Sequence, residues 1–280
     1  MLRTILILTL PLIIPLQSVL KVDVNLVNVF VTVQDEEGRY VGGLGREDFR
    51  VREDGEERAI EIFEATADLS SSLGVLIDNS GSSASILSSI KSGVEEFSRR
   101  LTPEDEVFVM SFAIEAAVVH DLHEDVSRLP GALRSLRSWG TSVFYDALSS
   151  SITKTREASH ERKALIVLSD GNDNQSRASY LEVVRAAQSN MVLLYFVGIG
   201  PKVLIDSYTM DGLATMTGGR VVLLGPDQAI PEALENIREE LGHQYYLGYH
   251  ASAESGFHSI EVEVPGRAVT VRARDGYLVQ

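Results

Sequence analysis

From residue 72 onward, short unbroken apolar runs alternate with longer stretches in which apolar residues recur every three or four positions. Residues 73–77 and 164–168 are apolar throughout and predict strands buried on both faces. Between them, Ile86, Leu87, Ile90, Val94 and Phe97 have helical spacing and predict a helix over 85–101, ended by Thr102 and Pro103. Strands are expected at 106–112, 116–120, 192–197 and 220–224, and helices at 126–138, 143–157, 178–189, 207–216 and 230–241. This alternation predicts an α/β fold: a doubly wound, mainly parallel sheet with helices on both faces.

Both flanks have the two-residue period of strands. Ahead of the α/β region, Val22, Val24 and Leu26 give way to Val27, Val29, Val31 and Val33, with a phase slip between the two sets. Residues 49–53 read as a strand, Asp54-Gly55 as a hairpin turn, and residues 59–63 as the returning partner. Behind it, strands are expected at 244–250, 259–264 and 269–274. Neither flank has enough apolar surface to fold comfortably alone, so the two are expected to pair into one small β module split in sequence. The alternative is that the tail strands extend the edge of the central sheet. The expected division is 1–18, 19–69, 70–242 and 243–280.

Residues 1–18 read as an export signal: Arg3 precedes a nearly unbroken apolar run over 4–16, and Ser18 suits a cleavage site. The run is shorter than a membrane span, and Pro11 and Pro15 disfavour a straight anchor helix. The expected location is outside the cytoplasm: periplasmic, cell-surface or secreted. Membrane attachment is expected only if this segment stays uncleaved. The chain has no cysteine, which excludes disulfides, thiolate metal sites and cysteine nucleophiles. Its net charge of −15, from 25 basic and 40 acidic residues, argues against nucleic acid as a partner.

The chemistry-bearing residues sit where strands should end. Asp78, Ser80 and Ser82 follow the run 73–77; Asp170 and Gly171 follow 164–168; Gly140-Thr141 precedes a predicted helix. In an open α/β sheet such positions share the carboxyl edge, beside a topological switch point. Two carboxylates and three hydroxyls would form a hard-cation site suited to Mg²⁺, with Mn²⁺ or Ca²⁺ as alternatives. The serines could instead serve only as helix caps. Taken together, Asp78-x-Ser80-x-Ser82, Thr141 and Ser169-Asp170-Gly171 resemble the metal-ion-dependent adhesion site of von Willebrand factor type A domains, over about residues 72–241. The flanks, with Glu53-Asp54-Gly55 and Tyr246-Leu247-Gly248-Tyr249, are similar to exported bacterial proteins related to that family.

The resemblance implies a non-enzymatic binding module. Ser80 and Ser82 would ligate the ion through hydroxyls, Thr141 would join in the occupied state, and Asp78 and Asp170 would act through water or as hydrogen-bond acceptors. The partner would be a protein presenting Asp or Glu to an open coordination position. Trp139 and Asp173 are candidates for the contact rim, Trp139 with buried packing as its alternative, while Asp146 reads as a helix-terminal carboxylate. A metal-dependent hydrolase using the same ion as Lewis acid is the competing reading, but no His or Glu lies within a few residues of Asp78, Thr141 or Asp170. Ser80 stands where a haloacid-dehalogenase-type phosphatase needs a second Asp. There is no Gly-x-Ser-x-Gly elbow at Ser80, and Gly198-Ile199-Gly200 lacks the third glycine of a dinucleotide loop, so no small-molecule cofactor is expected.

Overall fold

The computed structural model describes residues 26–65, 70–102, 104–224, 229–252 and 254–279. The expected signal segment and the strand residues Val22 and Val24 lie outside the described residues. The N-terminal flank holds β1 (Leu26–Asp35), β2 (Arg50–Glu53), β3 (Glu56–Arg58) and β4 (Ile62–Ala65). The α/β region begins with β5 (Ser72–Asp78), α1 (Leu87–Ser98), β6 (Glu106–Phe112), β7 (Ala116–His120), α2 (Leu129–Ser135) and α3 (Phe144–Lys154). It continues through β8 (Lys163–Ser169), α4 (Tyr180–Ser189), β9 (Val192–Gly198), α5 (Ser207–Thr215), β10 (Val221–Leu223) and α6 (Ile230–Gly242). The C-terminal flank adds β11 (Tyr245–His250), β12 (Gly256–Glu263), β13 (Val269–Arg272) and β14 (Gly276–Val279).

The central sheet has the order β10-β9-β8-β5-β6-β7, parallel except for the edge strand β7. Its inner strands β5, β6, β8 and β9 have buried apolar middles because both faces are covered, while the edge strands β7 and β10 are partly exposed. Leu73, Val75 and Ile77 of β5 meet α1, α2 and α6 on one face, while Leu76 joins α3, α4 and α5 on the other. The chain winds from β5 to β6 on one side and later returns to β8 on the other, so the switch point lies between β5 and β8.

The flanks pair with each other. They form two antiparallel four-stranded sheets, β13-β1-β11-β4 and β14-β12-β2-β3, each combining strands from both ends of the chain. Val27, Val29, Val31 and Val33 share a buried core with Val51, Leu247, Tyr249 and Ile260. On the opposite face of the first sheet, Phe30 and Tyr246 pack into the α/β core, their ring centroids 5.1 Å apart. That sheet is therefore covered on both sides and seats the module on the domain.

A polar pin crosses the same junction. Glu240 of α6 is fully buried; its carboxylate accepts from Arg220 Nε at 2.6 Å, from Tyr195 Oη at 2.7 Å and from Arg272 of β13. Burial together with the Glu240 charge holds the Tyr195 phenol well above its usual range.

Two expectations require correction, and one strand is additional. The hairpin partner of β2 is β3, not residues 59–63: Asp54 and Gly55 take φ of 53° and 82° for a two-residue turn, and the chain pairs at once. Ile62 and Phe63 instead enter β4 and pair with Gly248 and Leu247. The helix expected over 126–138 stops at Ser135, because the backbone of Arg137 and Trp139 is engaged by Asn79. The last strand, β14, was not anticipated.

Candidate functional site

Asp78 and Ser169 end neighbouring parallel strands, with Ile77 paired to Leu168 just before them. That register fixes the floor of the site. Asp78 is fully buried; its Oδ2 accepts from Ser169 Oγ at 2.7 Å and its Oδ1 from the Ser80 amide at 2.9 Å. Ser169 Oγ in turn accepts from the Gly171 amide at 3.0 Å, so one hydroxyl braces both strand ends. Asp170 Oδ1 accepts from the Asn172 amide at 3.0 Å, and the Asp170 carbonyl accepts from the Asp206 amide at 2.8 Å. Burial pushes the Asp78 carboxyl up from its ordinary value against the hydrogen bonds from Ser80 and Ser169, and the Asp170 charge adds to the rise.

Ser80 precedes a single turn of 3-10 helix, Gly81–Ser83, but its side chain makes no capping bond. Its hydroxyl instead faces that of Ser82 at 3.1 Å. The helix-cap reading of Ser80 therefore fails, and both hydroxyls present oxygen to the same point. Ser80 is buried and Ser82 exposed, so the donors climb from a closed floor to an open rim.

The Thr141 loop is laid against the serine loop by backbone bonds. The Gly81 amide donates to the Gly140 carbonyl at 3.0 Å, and the Trp139 amide to the Asn79 carbonyl at 3.0 Å. Gly140 has φ of 70° and Gly171 φ of 79°, left-handed conformations that a side chain disfavours; a Cβ on Gly171 would also lie 2.8 Å from Met210 Cε. Thr141 is exposed, and its hydroxyl donates to Gln175 at 3.1 Å. Gln175 carried no sequence signal; it is a polar loop residue identified only by this bond.

The rim candidates differ. Trp139 is half exposed beside the site. Asp173 is committed inward: Oδ1 accepts from the Tyr145 amide and the Ser176 hydroxyl, and Oδ2 from the Ser176 amide. Asp146 likewise holds the amides of Arg177 and Ala178, fixing the loop to the start of α3. Both carboxylates shape the β8–α4 loop that carries Gln175.

The donor set suits a small hard cation. Ligands at right angles on Mg²⁺ would lie about 2.9 Å apart, and on Ca²⁺ about 3.4 Å. The 3.1 Å Ser80–Ser82 separation falls between these. Two like-charged carboxylates held beside one another, one of them fully buried, are also the arrangement a cation relieves.

Residues 73–172 match the von Willebrand factor type A domain family. Those residues form a von Willebrand factor type A domain. Solved structures agree on the fold. A von Willebrand factor type A protein from Catenulispora acidiphila is 13% identical with a TM-score of 0.56, covering 92% of this chain and 75% of its own. The conserved hypothetical protein BatB from Bacteroides thetaiotaomicron is 16% identical with a TM-score of 0.52, covering 61% of this chain and 96% of its own. An aerotolerance-related membrane protein from Bacteroides fragilis is 14% identical with a TM-score of 0.50, over 61% of this chain and 98% of its own. No curated protein sequence matches the chain. Domains of the type A family serve mainly in binding and protein–protein contact, and many hold a divalent metal at the adhesion site.

Proposed function

We propose that this chain is a non-enzymatic binding module that captures an acidic side chain of a partner protein through a divalent cation, Mg²⁺ first and Mn²⁺ or Ca²⁺ as substitutes. Asp78, Ser80, Ser82, Thr141 and Asp170 would hold the ion. The observation that carries this reading is the Ser80–Ser82 pair: two hydroxyls 3.1 Å apart, released from helix capping, above a buried carboxylate braced by Ser169.

When bound, the cation supplies a Lewis-acidic coordination position to a partner carboxylate. The chain's own residues determine how strongly. Neutral hydroxyls leave the ion more of its charge than carboxylates would, which favours an anionic partner group. Asp78 and Ser169 keep the floor rigid and dry, and Gln175 holds Thr141 back until the site is used. Among the described residues, the side chains bonded to the five candidates are Ser138, Ser169, Gln175 and the serines themselves, none of them a general base. This favours binding over hydrolysis.

The signal-like sequence over residues 1–18 supports an encounter outside the cytoplasm, on the envelope or beyond it. A pull-down from an envelope extract tests the reading. Capture of a partner should require Mg²⁺, fail with chelator and fail with Ser80→Ala. Capture that survives both chelation and Ser80→Ala would contradict it.

A further inference from the structure

At the amino end of the central sheet, opposite Asp78, a cleft of about 620 Å³ lies between the end of α4 and the strands β1 and β14. Behind it is a void of about 20 Å³, and Asn28, Gln188 and Arg274 line both. Among the described residues, each of the three has a buried polar atom without a partner: Asn28 Oδ1, Gln188 Oε1 and Arg274 Nε. Their other groups fix the orientation. Asn28 Nδ2 donates to Met191 Sδ at 3.3 Å, and Gln188 Nε2 donates to the Met216 and Gly276 carbonyls, both at 2.9 Å. Two acceptors and one donor around a space of one-water size are the setting for a buried water, which would satisfy all three.

That leaves the outer face of the Arg274 guanidinium. Other arginines in and around the β module face buried carboxylates: Arg220 and Arg272 share Glu240, and Arg58 meets Glu53. Arg274 makes no ion pair and no hydrogen bond among the described residues; its contact is with the Tyr277 ring, 5.7 Å from the centroid. In a chain with 40 acidic and 25 basic residues, a half-buried guanidinium without an acid is unfavourable unless an anion reaches it. Arg185, exposed on α4, lines the same cleft, and Leu26, Val27, Leu278 and Val279 give it an apolar stretch.

We propose that this cleft binds a small amphipathic anion, with a carboxylate or phosphate head against Arg274 and Arg185 and an apolar body along Leu26, Val27, Leu278 and Val279. Its volume lies within the range of small-molecule sites, and the ligand would touch α4, β1 and β14 together, tightening the β module onto the domain. The site is independent of the metal reading.

The test is calorimetric titration of the full-length chain with octanoate, octyl phosphate and, as the neutral control, 1-octanol. At least one anion should bind about tenfold or more tightly than octanol, and the tighter of the two identifies the head group. Arg274→Met should weaken that anion by about tenfold or more. Arg185→Glu changes only an exposed helix residue, so it reports even if Arg274→Met does not fold, and it should weaken the anion as well. Binding of both anions no tighter than octanol, or anion binding unmoved by both substitutions, would overturn the proposal.

Discussion

Glu240→Ala is expected to loosen the joint between the β module and the α/β domain. The wild-type carboxylate is fully buried and takes donors from two arginines and one tyrosine drawn from both parts of the chain. Removing it leaves Arg220 and Arg272, each about a quarter exposed, facing each other without an acid. Breaking a buried pair from one side costs about 3–5 kcal/mol. For a chain of this size that corresponds to a fall in melting temperature on the order of 10 °C. Arg272→Ala keeps the Arg220–Glu240 pair and removes the charge-assisted hydrogen bond to Glu240 and a long one to Thr32 Oγ1 at 3.4 Å, a loss of about 1.5–3 kcal/mol. The ordering is therefore the sharper prediction: Glu240→Ala should be worse than Arg272→Ala. Urea unfolding followed by circular dichroism measures both, and limited proteolysis shows whether the flanks are released first. A loss below about 1 kcal/mol for Glu240→Ala, or one no larger than for Arg272→Ala, would refute the pinning role.

Two further outcomes can be checked directly. His258 is held between the Glu254 carbonyl at 2.9 Å and Asp54 Oδ2 at 2.7 Å, with Glu53 beside it, and these acceptors raise its pKa above the ordinary imidazole value. A raised folded-state pKa means stability that is complete below about pH 6.5 and is lost as pH rises through the folded value; melting temperature should fall across that window in wild type, and this part of the fall should vanish in His258→Gln. Gln175→Ala frees the Thr141 hydroxyl from an exposed hydrogen bond, and since such a bond is worth about 0.5–1.5 kcal/mol, divalent-cation affinity should tighten by about two- to tenfold by calorimetry; weaker binding would show that Gln175 supports the site instead of restraining it.

The parts of the fold legible in the sequence are those where burial on both faces leaves no choice. Residues 73–77 and 164–168 are apolar because helices cover them above and below, and the observed strands exceed them by a single residue at each end. The nearness of Asp78 and Asp170 was legible in part: strand ends in a parallel sheet share an edge, and the structure adds that β5 and β8 are neighbours. The β3 strand was not legible, because Glu56-Glu57-Arg58 has no apolar member and its position follows from the Asp54-Gly55 turn alone. Asp173 illustrates a different limit. Its sequence context, Gly171-Asn172-Asp173-Asn174, is that of an open loop, yet its carboxylate is drawn inward by Ser176 and the start of α3. Gln175 and the helix stop after Ser135 arise from contacts between segments far apart in sequence, which local pattern does not encode.

Thermal unfolding with and without Mg²⁺ tests the metal-binding proposal most directly. At a concentration about 100 times the dissociation constant, an ion bound only by the folded chain adds about 2.7 kcal/mol, which should raise the melting temperature by roughly 5–10 °C. Asp78→Ala and Asp170→Ala should each remove that rise, and Trp139→Ala should leave it intact. A wild-type chain indifferent to millimolar Mg²⁺, Mn²⁺ and Ca²⁺, or a rise that persists in both aspartate variants, would contradict a cation site at the carboxyl edge of β5 and β8.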